Sequence, residues 1–118
     1  MDLLLLFIKE FVVKNKQERL SHFAKSNWDR FATELDKLEI CLNEKCICIN
    51  SNIVNEFNKI VSHKNIKSGI YFDSYSKGNE MFPVDFSKIH DSSLLICPRE
   101  RIAFFFHHEG WMWICDSG

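Results

Sequence analysis

The densest group of residues able to do chemistry lies near the C-terminus, where His107, His108 and Glu109 follow one another. Imidazole and carboxylate groups bind metal ions and transfer protons. Neighbouring side chains of an extended strand point to opposite faces, however, so two adjacent histidines cannot both face one ion unless the backbone bends sharply. Glu109 and Gly110 supply such a bend in the form of a tight hairpin turn, because glycine accepts a positive φ. The segment therefore favours a β-hairpin over a metal site.

This interpretation makes a prediction about substitutions in the turn. Exposed turn residues usually tolerate replacement within about 0.5 kcal/mol. Replacing His107 and His108 together with Asn and Gln should then leave folding and function nearly unchanged. Gly110→Val should destabilise the fold more than the double histidine replacement, because a β-branched residue resists a positive φ.

The cysteines form a second candidate site. Cys46 and Cys48 would place both sulfurs on one face of a strand, and Cys41 and His63 could complete four ligands. Their spacings match none of the usual CxxC-type zinc knuckles. The sequence has five cysteines, an odd number, and no recognisable export signal. Both features favour reduced thiols over a disulfide framework.

Other catalytic patterns are missing from the sequence. No GxSxG motif surrounds a serine or cysteine, and the four glycines form neither a phosphate-binding loop nor a dinucleotide fingerprint. We therefore expect a protein that is not an enzyme, with no catalytic residues, no bound metal and no cofactor. The alternative is a small metal-dependent or thiol enzyme, which would use His107, His108 and Glu109 or the Cys46 and Cys48 pair.

Aromatic residues are concentrated in the same C-terminal segment. Phe104, Phe105 and Phe106 place rings on both faces of a strand, while Trp111 and Trp113 share one face. This favours a central pair of strands covered on both sides. The alternative is that one face binds another protein, since tryptophan is enriched at binding hot spots.

The elements that position these residues change in type along the chain. Apolar residues at helical spacing predict helices in the first third and again over Ile53 to Val61, with Glu39 to Asn50 compatible with a strand. "GIYFDS", "SSLLIC", "RIAFFF" and "GWMWIC" predict strands, "YSKGN" a loop, and Pro83 the start of a short helical turn. We expect one α+β domain over residues 1–118, with N-terminal helices packed on a C-terminal antiparallel sheet of three or four strands.

Charge and hydropathy limit the kinds of partner. The formal net charge of -1 gives no basic field for nucleic acid. The apolar run from Leu3 to Ile8 is far shorter than the roughly 20 residues of a membrane-spanning helix, and it lacks the features of a signal peptide. We therefore expect a cytoplasmic protein that contacts neither nucleic acid nor membrane; the sequence leaves its oligomeric state open.

Three stretches carry a resemblance to a family of small bacterial cytosolic proteins: "KQERLSHFAKSNWDRFATELDKL", "YFDSYSKGNEMFPVDFSKI" and "SSLLICPRERIAFFFHHEGW". In that family a basic helical segment leads into a helix, a strand and a polar loop, and an aromatic-rich hairpin closes the chain. Its final turn is acidic and contains glycine, so His107 and His108 depart from the pattern. Such proteins resemble the immunity proteins of polymorphic toxin and contact-dependent growth inhibition systems.

The resemblance implies a cytoplasmic immunity protein that binds a cognate toxin domain and blocks its active site. Many such toxins are nucleases with cationic clefts, which acidic side chains on loops would contact. The contacts expected on this basis are Asp73 and Glu80 beside the "SYSKGN" loop, Tyr75 as an aromatic anchor, and Glu109 and Trp111 at the hairpin. A regulatory module that binds a host protein is the other non-enzymatic alternative.

Overall fold

An antiparallel sheet forms the centre of the computed structural model, which describes residues 2–117 except for the side chains of residues 79 and 80. Its six strands are β1 (Cys46–Ile49), β2 (Ser68–Phe72), β3 (Lys77–Pro83), β4 (Ser93–Cys97), β5 (Ile102–Phe106) and β6 (Met112–Asp116). They are ordered β1-β6-β5-β4-β2-β3, which leaves β1 and β3 at the edges. Together with the helices that precede it, the sheet confirms the predicted α+β class.

The helices lie mainly in the first half of the chain. They are α1 (Leu3–Phe11), α2 (Lys14–Ser26), α3 (Trp28–Leu35) and α4 (Ile53–His63), with 3₁₀ turns at Leu38–Cys41 and Phe86–Lys88. Asp2 begins α1 by accepting the backbone N–H of Leu4 at 2.9 Å. Asn27 ends α2, and its side chain accepts the N–H of Arg30 in the first turn of α3. These short polar side chains satisfy N–H groups that a helix start leaves without an internal partner.

Both faces of the sheet are covered by helices. Ala103 and Phe105 of β5 pack into the apolar cluster formed with α1, α2 and α3. Phe104 and Phe106 point the other way, into the cluster that contains Phe57 of α4. All residues of β4 and β5 are consequently buried. The phenylalanine strand is thus covered on both sides, as predicted, and its three phenylalanines do not reach the surface. Its partner β6 is covered less completely, since Trp113 and Ile114 are only partly buried.

The sheet has more strands than the three or four expected, because the sequence signals of both edge strands are weak. Glu39 to Asn50 contains a 3₁₀ turn before the four residues of β1. The expected loop "YSKGN" runs into β3, and Pro83, expected to open a helical turn, instead ends that strand opposite Ser68. Proline fits there because an edge strand has a neighbour on one side only. The short helical turn follows at Phe86–Lys88.

The N-terminal apolar stretch forms a short helix. α1 has nine residues, and Leu4, Phe7, Ile8 and Phe11 are buried in the core. In the described part of the chain, 2–117, no helix is both long and apolar enough to cross a bilayer.

Candidate protein-binding surface

The loop between β2 and β3 is held in shape by Asp73. This residue is only 6% exposed, and its Oδ1 accepts the backbone N–H groups of Tyr75 at 2.8 Å and Ser76 at 2.7 Å. The N–H of Asp73 donates in turn to the carbonyl of Ser76 at 2.9 Å. Such bonds fix a turn, because a short carboxylate side chain caps backbone donors two and three residues ahead. Asp73 therefore shapes the loop, and its carboxylate is already engaged.

A helix on one face of the sheet holds the same loop. The indole Nε1 of Trp28, the first residue of α3, donates to the carbonyl of Asp73 at 3.2 Å. The Trp28 ring also packs near the rings of Phe31 and Phe72, with centroid distances of 5.2 and 6.1 Å. The loop is thus attached to the core through a side chain 45 residues away in sequence.

Tyr75 projects from this fixed loop. It is 94% exposed, the most exposed large apolar side chain of the described residues. Beside it lies a surface cavity of about 450 Å³ whose lining also includes Lys77, Met81, Lys88 and His90. The cavity therefore combines aromatic and apolar contact area with two lysines, which the sequence did not predict.

A buried tyrosine lies at the inner side of this cavity. The hydroxyl of Tyr71 accepts the backbone N–H of His90 at 2.9 Å, and its ring stacks on Phe82 with a centroid distance of 4.6 Å. Burial raises the pKa of Tyr71 above its usual value, with hydrogen bonds from Ser93 and His90 opposing that rise. Tyr71 thus supports the cavity as a neutral, fixed side chain.

The expected hairpin is present between β5 and β6, but one of its histidines is buried. Gly110 has φ +87° and donates its N–H to the carbonyl of His107 at 3.0 Å, which closes the turn. His107 is only 4% exposed, and its Nε2 lies 3.0 Å from Oε2 of Glu39. The Nδ1 of His107 accepts the N–H of Glu109 at 3.0 Å, so Nε2 carries the proton that is donated to Glu39.

The sequence predicts that both histidines are exposed and replaceable. This is wrong for His107, which is buried, whereas His108 is exposed as predicted. The imidazole of His107 stacks with two rings, that of His108 at 4.2 Å and that of Trp111 at 4.8 Å between centroids. It attaches the hairpin to the 3₁₀ turn that contains Glu39. Sequence reasoning missed this link because the partner lies 68 residues earlier in the chain.

The hairpin leaves two of its predicted contact residues accessible. Glu109 is exposed, and Trp111 keeps 36% of its surface exposed although one side of its ring covers His107. Ile40, next to Glu39 in the 3₁₀ turn, is 64% exposed and was not predicted from the sequence. An exposed isoleucine in the turn that His107 contacts adds apolar surface to this part of the molecule.

The topology brings the two loops to the same end of the sheet. β2 and β5 are both antiparallel to β4, which lies between them, so they run parallel to each other. Phe72 and Phe105 both pair with Leu94 near the ends of their strands. Neighbouring strands are about 4.8 Å apart, so the ends of β2 and β5 are separated by about 10 Å. We call this region, formed by residues 73–77, 88–92 and 107–111, the loop-end surface.

The structure therefore groups most of the predicted contact residues. Tyr75 lies on the first of these loops and Glu109 and Trp111 on the third, while Asp73 stabilises the first from within. Glu80 belongs to β3, but its side chain lies outside the described residues.

The thiols are mostly enclosed in the core. Cys41, Cys46, Cys97 and Cys115 are buried, whereas Cys48 is exposed. Burial raises the pKa of Cys97 to about 12, with a smaller contribution from Glu100, and burial also raises the pKa of Cys41. These groups stay protonated near neutral pH, whereas a nucleophilic cysteine reacts as the thiolate. Within the described part of the chain, no three His, Cys, Asp or Glu side chains are grouped to hold a metal ion.

Comparison with known proteins adds no relative. No protein-family model matches the chain, and neither a curated protein nor a solved structure is significantly similar to it.

Proposed function

We propose that this chain is an immunity protein that binds a cognate toxin domain through the loop-end surface and blocks the active site of that toxin. The observation that carries the proposal is the joint position of two fixed loops, each with an exposed aromatic residue, at one end of the sheet. Aromatic side chains held on rigid loops are the usual anchors of a protein interface. The toxin as the partner rests on the resemblance described above.

The fixed shape of both loops favours tight binding. Binding to a mobile loop loses free energy to the ordering of its backbone and side chains. The hydrogen bonds of Asp73 and Trp28 in one loop, and of His107 in the other, have already ordered these segments. Contact area presented by Tyr75 and Trp111 therefore contributes to affinity with little entropy lost from the backbone of the two loops.

The loop-end surface carries charges of both signs, including the exposed Asp91 on the same loop as Lys88. Lys77 and Lys88 line the cavity beside Tyr75, while Glu109 extends from the hairpin. The carboxylate of Asp73, expected to meet a cationic cleft, is turned into its own loop. A complementary partner would place acidic groups opposite the lysines and a basic group opposite Glu109, since matched charges steer association and fix orientation.

The proposal is tested with the product of the neighbouring gene. The two proteins are produced together and purified, and the affinity is measured by titration calorimetry. Cells that express the neighbouring protein should grow only when this chain is present. If no adjacent gene product binds and none is toxic, the function is not immunity.

A substitution at Tyr75 tests the surface separately from the function. Tyr75→Ala should raise the Kd by about 30-fold or more, which corresponds to the roughly 2 kcal/mol that defines a hot spot. Leu6→Ala is the matched control, because Leu6 is 42% exposed on α1 and lies beside Pro98 and Arg101 at the opposite end of the sheet. Equal affinities for both variants would place the interface elsewhere while leaving toxin binding intact.

A further inference from the structure

Two buried thiols face each other across the β1–β6 pair. Cys46 and Cys115 are directly opposite in the register, with exposed fractions of 8% and 0%. The Cys46 thiol lies 3.8 Å from the carbonyl oxygen of Phe11, and both cysteines belong to the same buried apolar cluster. The two side chains therefore lie on the same face of neighbouring strands, directly opposite each other.

The backbone pattern shows which type of antiparallel pair they form. The N–H of Asp116 donates to the carbonyl of Lys45 at 3.4 Å, and the N–H of Cys46 donates within its own turn to Asn43 at 3.1 Å. Hydrogen-bonded and non-hydrogen-bonded pairs alternate along antiparallel strands, so the pair that follows Lys45 and Asp116 is non-hydrogen-bonded. On its other side, Cys115 is opposite Ala103 of β5.

The distance expected for such a pair suits a disulfide. The Cα atoms of a non-hydrogen-bonded pair lie about 4.5 Å apart, with the side chains close together. Disulfides span Cα separations of about 4.4 to 6.8 Å. Cys46 and Cys115 can therefore be joined without a large movement of either strand.

We propose that Cys46 and Cys115 form an oxidisable dithiol that a small disulfide such as glutathione disulfide converts into a cross-strand disulfide. The thiolate of Cys46 attacks one sulfur of glutathione disulfide, which forms a mixed disulfide and releases one glutathione thiolate. Cys115 then loses its proton and attacks the Cys46 sulfur, which releases the second glutathione. Two protein thiols are oxidised, one glutathione disulfide is reduced to two thiols, and the two protons pass to the glutathiones.

The position of Cys46 determines the order of attack. β1 is a four-residue edge strand, so a local opening of this edge exposes Cys46 while Cys115, on β6, stays paired with β5. The hydrogen bond with Cys46, and then burial, raise the pKa of Cys115 well above its usual value. Cys46 is accordingly the first thiol to react, and Cys115 is the resolving thiol.

The disulfide would hold the edge of the sheet closed. β1 pairs with β6 alone within the sheet, so a covalent link at Cys46 suppresses the opening of the whole strand. Amide hydrogen exchange in β1 should then slow on oxidation. This inference concerns the β1 edge and stands independently of the proposed toxin binding.

The test uses the full chain with Cys48→Ser, which removes the exposed neighbouring thiol. The protein is treated with glutathione disulfide, and its mass is compared with that of the reduced chain; we expect a loss of about 2 Da for the disulfide. When the treated protein is then denatured and alkylated, two fewer cysteines should be modified than in the reduced chain. Peptide mapping should join Cys46 to Cys115. Adding Cys115→Ser should abolish the link and leave one glutathione on Cys46.

Two results would overturn the inference. One is full alkylation of Cys46 and Cys115 in the treated Cys48→Ser protein. The other is a disulfide that involves Cys41 or Cys97 instead. Hydrogen exchange of the wild-type chain provides a readout without any substitution, and unchanged exchange in β1 after oxidation would contradict closure of the edge.

Discussion

Single residues of this molecule are best understood by what they do for the backbone around them. Asp73 and His107 are both polar and buried, and each accepts N–H groups of the loop that follows it. The residue type does not reveal either role, because an aspartate or histidine in the sequence can equally be exposed to solvent. The partner of His107 is Glu39, whose other oxygen, Oε1, is buried without a hydrogen-bond partner in the described part of the chain.

The importance of His107 is testable by comparison with its neighbour. His107→Ala should destabilise the protein by about 2 kcal/mol or more, because it leaves the Glu39 carboxylate partly buried and unpaired and removes the acceptor of the Glu109 N–H. His108→Ala should change the free energy of unfolding by less than about 0.5 kcal/mol, since that side chain is exposed. Urea unfolding of both variants measures the difference. Equal, small effects would restore the interpretation of both histidines as exposed turn residues.

At the scale of elements, strong periodicity makes the buried parts predictable. The stripe from Ile53 to Val61 forms α4, and the apolar runs "SSLLIC" and "RIAFFF" form β4 and β5. Residues at both ends of β3 are unfavourable in most strands, Gly78 at its start and Pro83 at its end, so the sequence predicts a loop and a turn there. Pairing with β2 outweighs that local preference. The candidate site is predictable only in part, since Tyr75 and Trp111 are recognisable by type, whereas their proximity depends on the order of the strands.

Two glycines with positive φ allow the cost of backbone strain to be measured apart from the cost of steric crowding. Gly110 has φ +87° and open space where a Cβ would stand, whereas a Cβ at Gly78, with φ +78°, would lie 2.4 Å from the Phe72 ring. Gly110→Ala should therefore cost about 1 kcal/mol, from conformation alone. Gly78→Ala should cost at least about 1 kcal/mol more, because the core ring of Phe72 must move. Thermal and urea unfolding of the two variants give the comparison, and equal losses would mean that the start of β3 moves freely away from Phe72.

The whole molecule places its ionisable core groups between two helical layers. The central strands carry Cys97 and Cys115, α4 and its neighbours cover one face, and α1, α2 and α3 cover the other. A sheet enclosed in this way excludes water from thiol and phenol groups, which favours their neutral forms. The two helical layers that cover the aromatic strands therefore also make the unfolding free energy depend on pH.

The unfolding free energy should therefore fall as the pH rises above about 8.5, the ordinary value for a free thiol. Burial raises the pKa of Cys97 to about 12, so the folded state keeps a proton that the unfolded state releases. Because the unfolded chain then binds fewer protons, stability decreases with pH; the contribution is fully present below about 8.5 and is lost progressively up to about 12. Cys97 should account for up to about 2 kcal/mol of this loss between pH 8.5 and 10. Urea unfolding at pH 7.5 and 10 measures the loss, and Cys97→Ala should show a smaller difference between the two pH values than the wild type. A wild-type stability that is the same at both values would show that the buried thiols ionise as readily in the fold as in the unfolded chain.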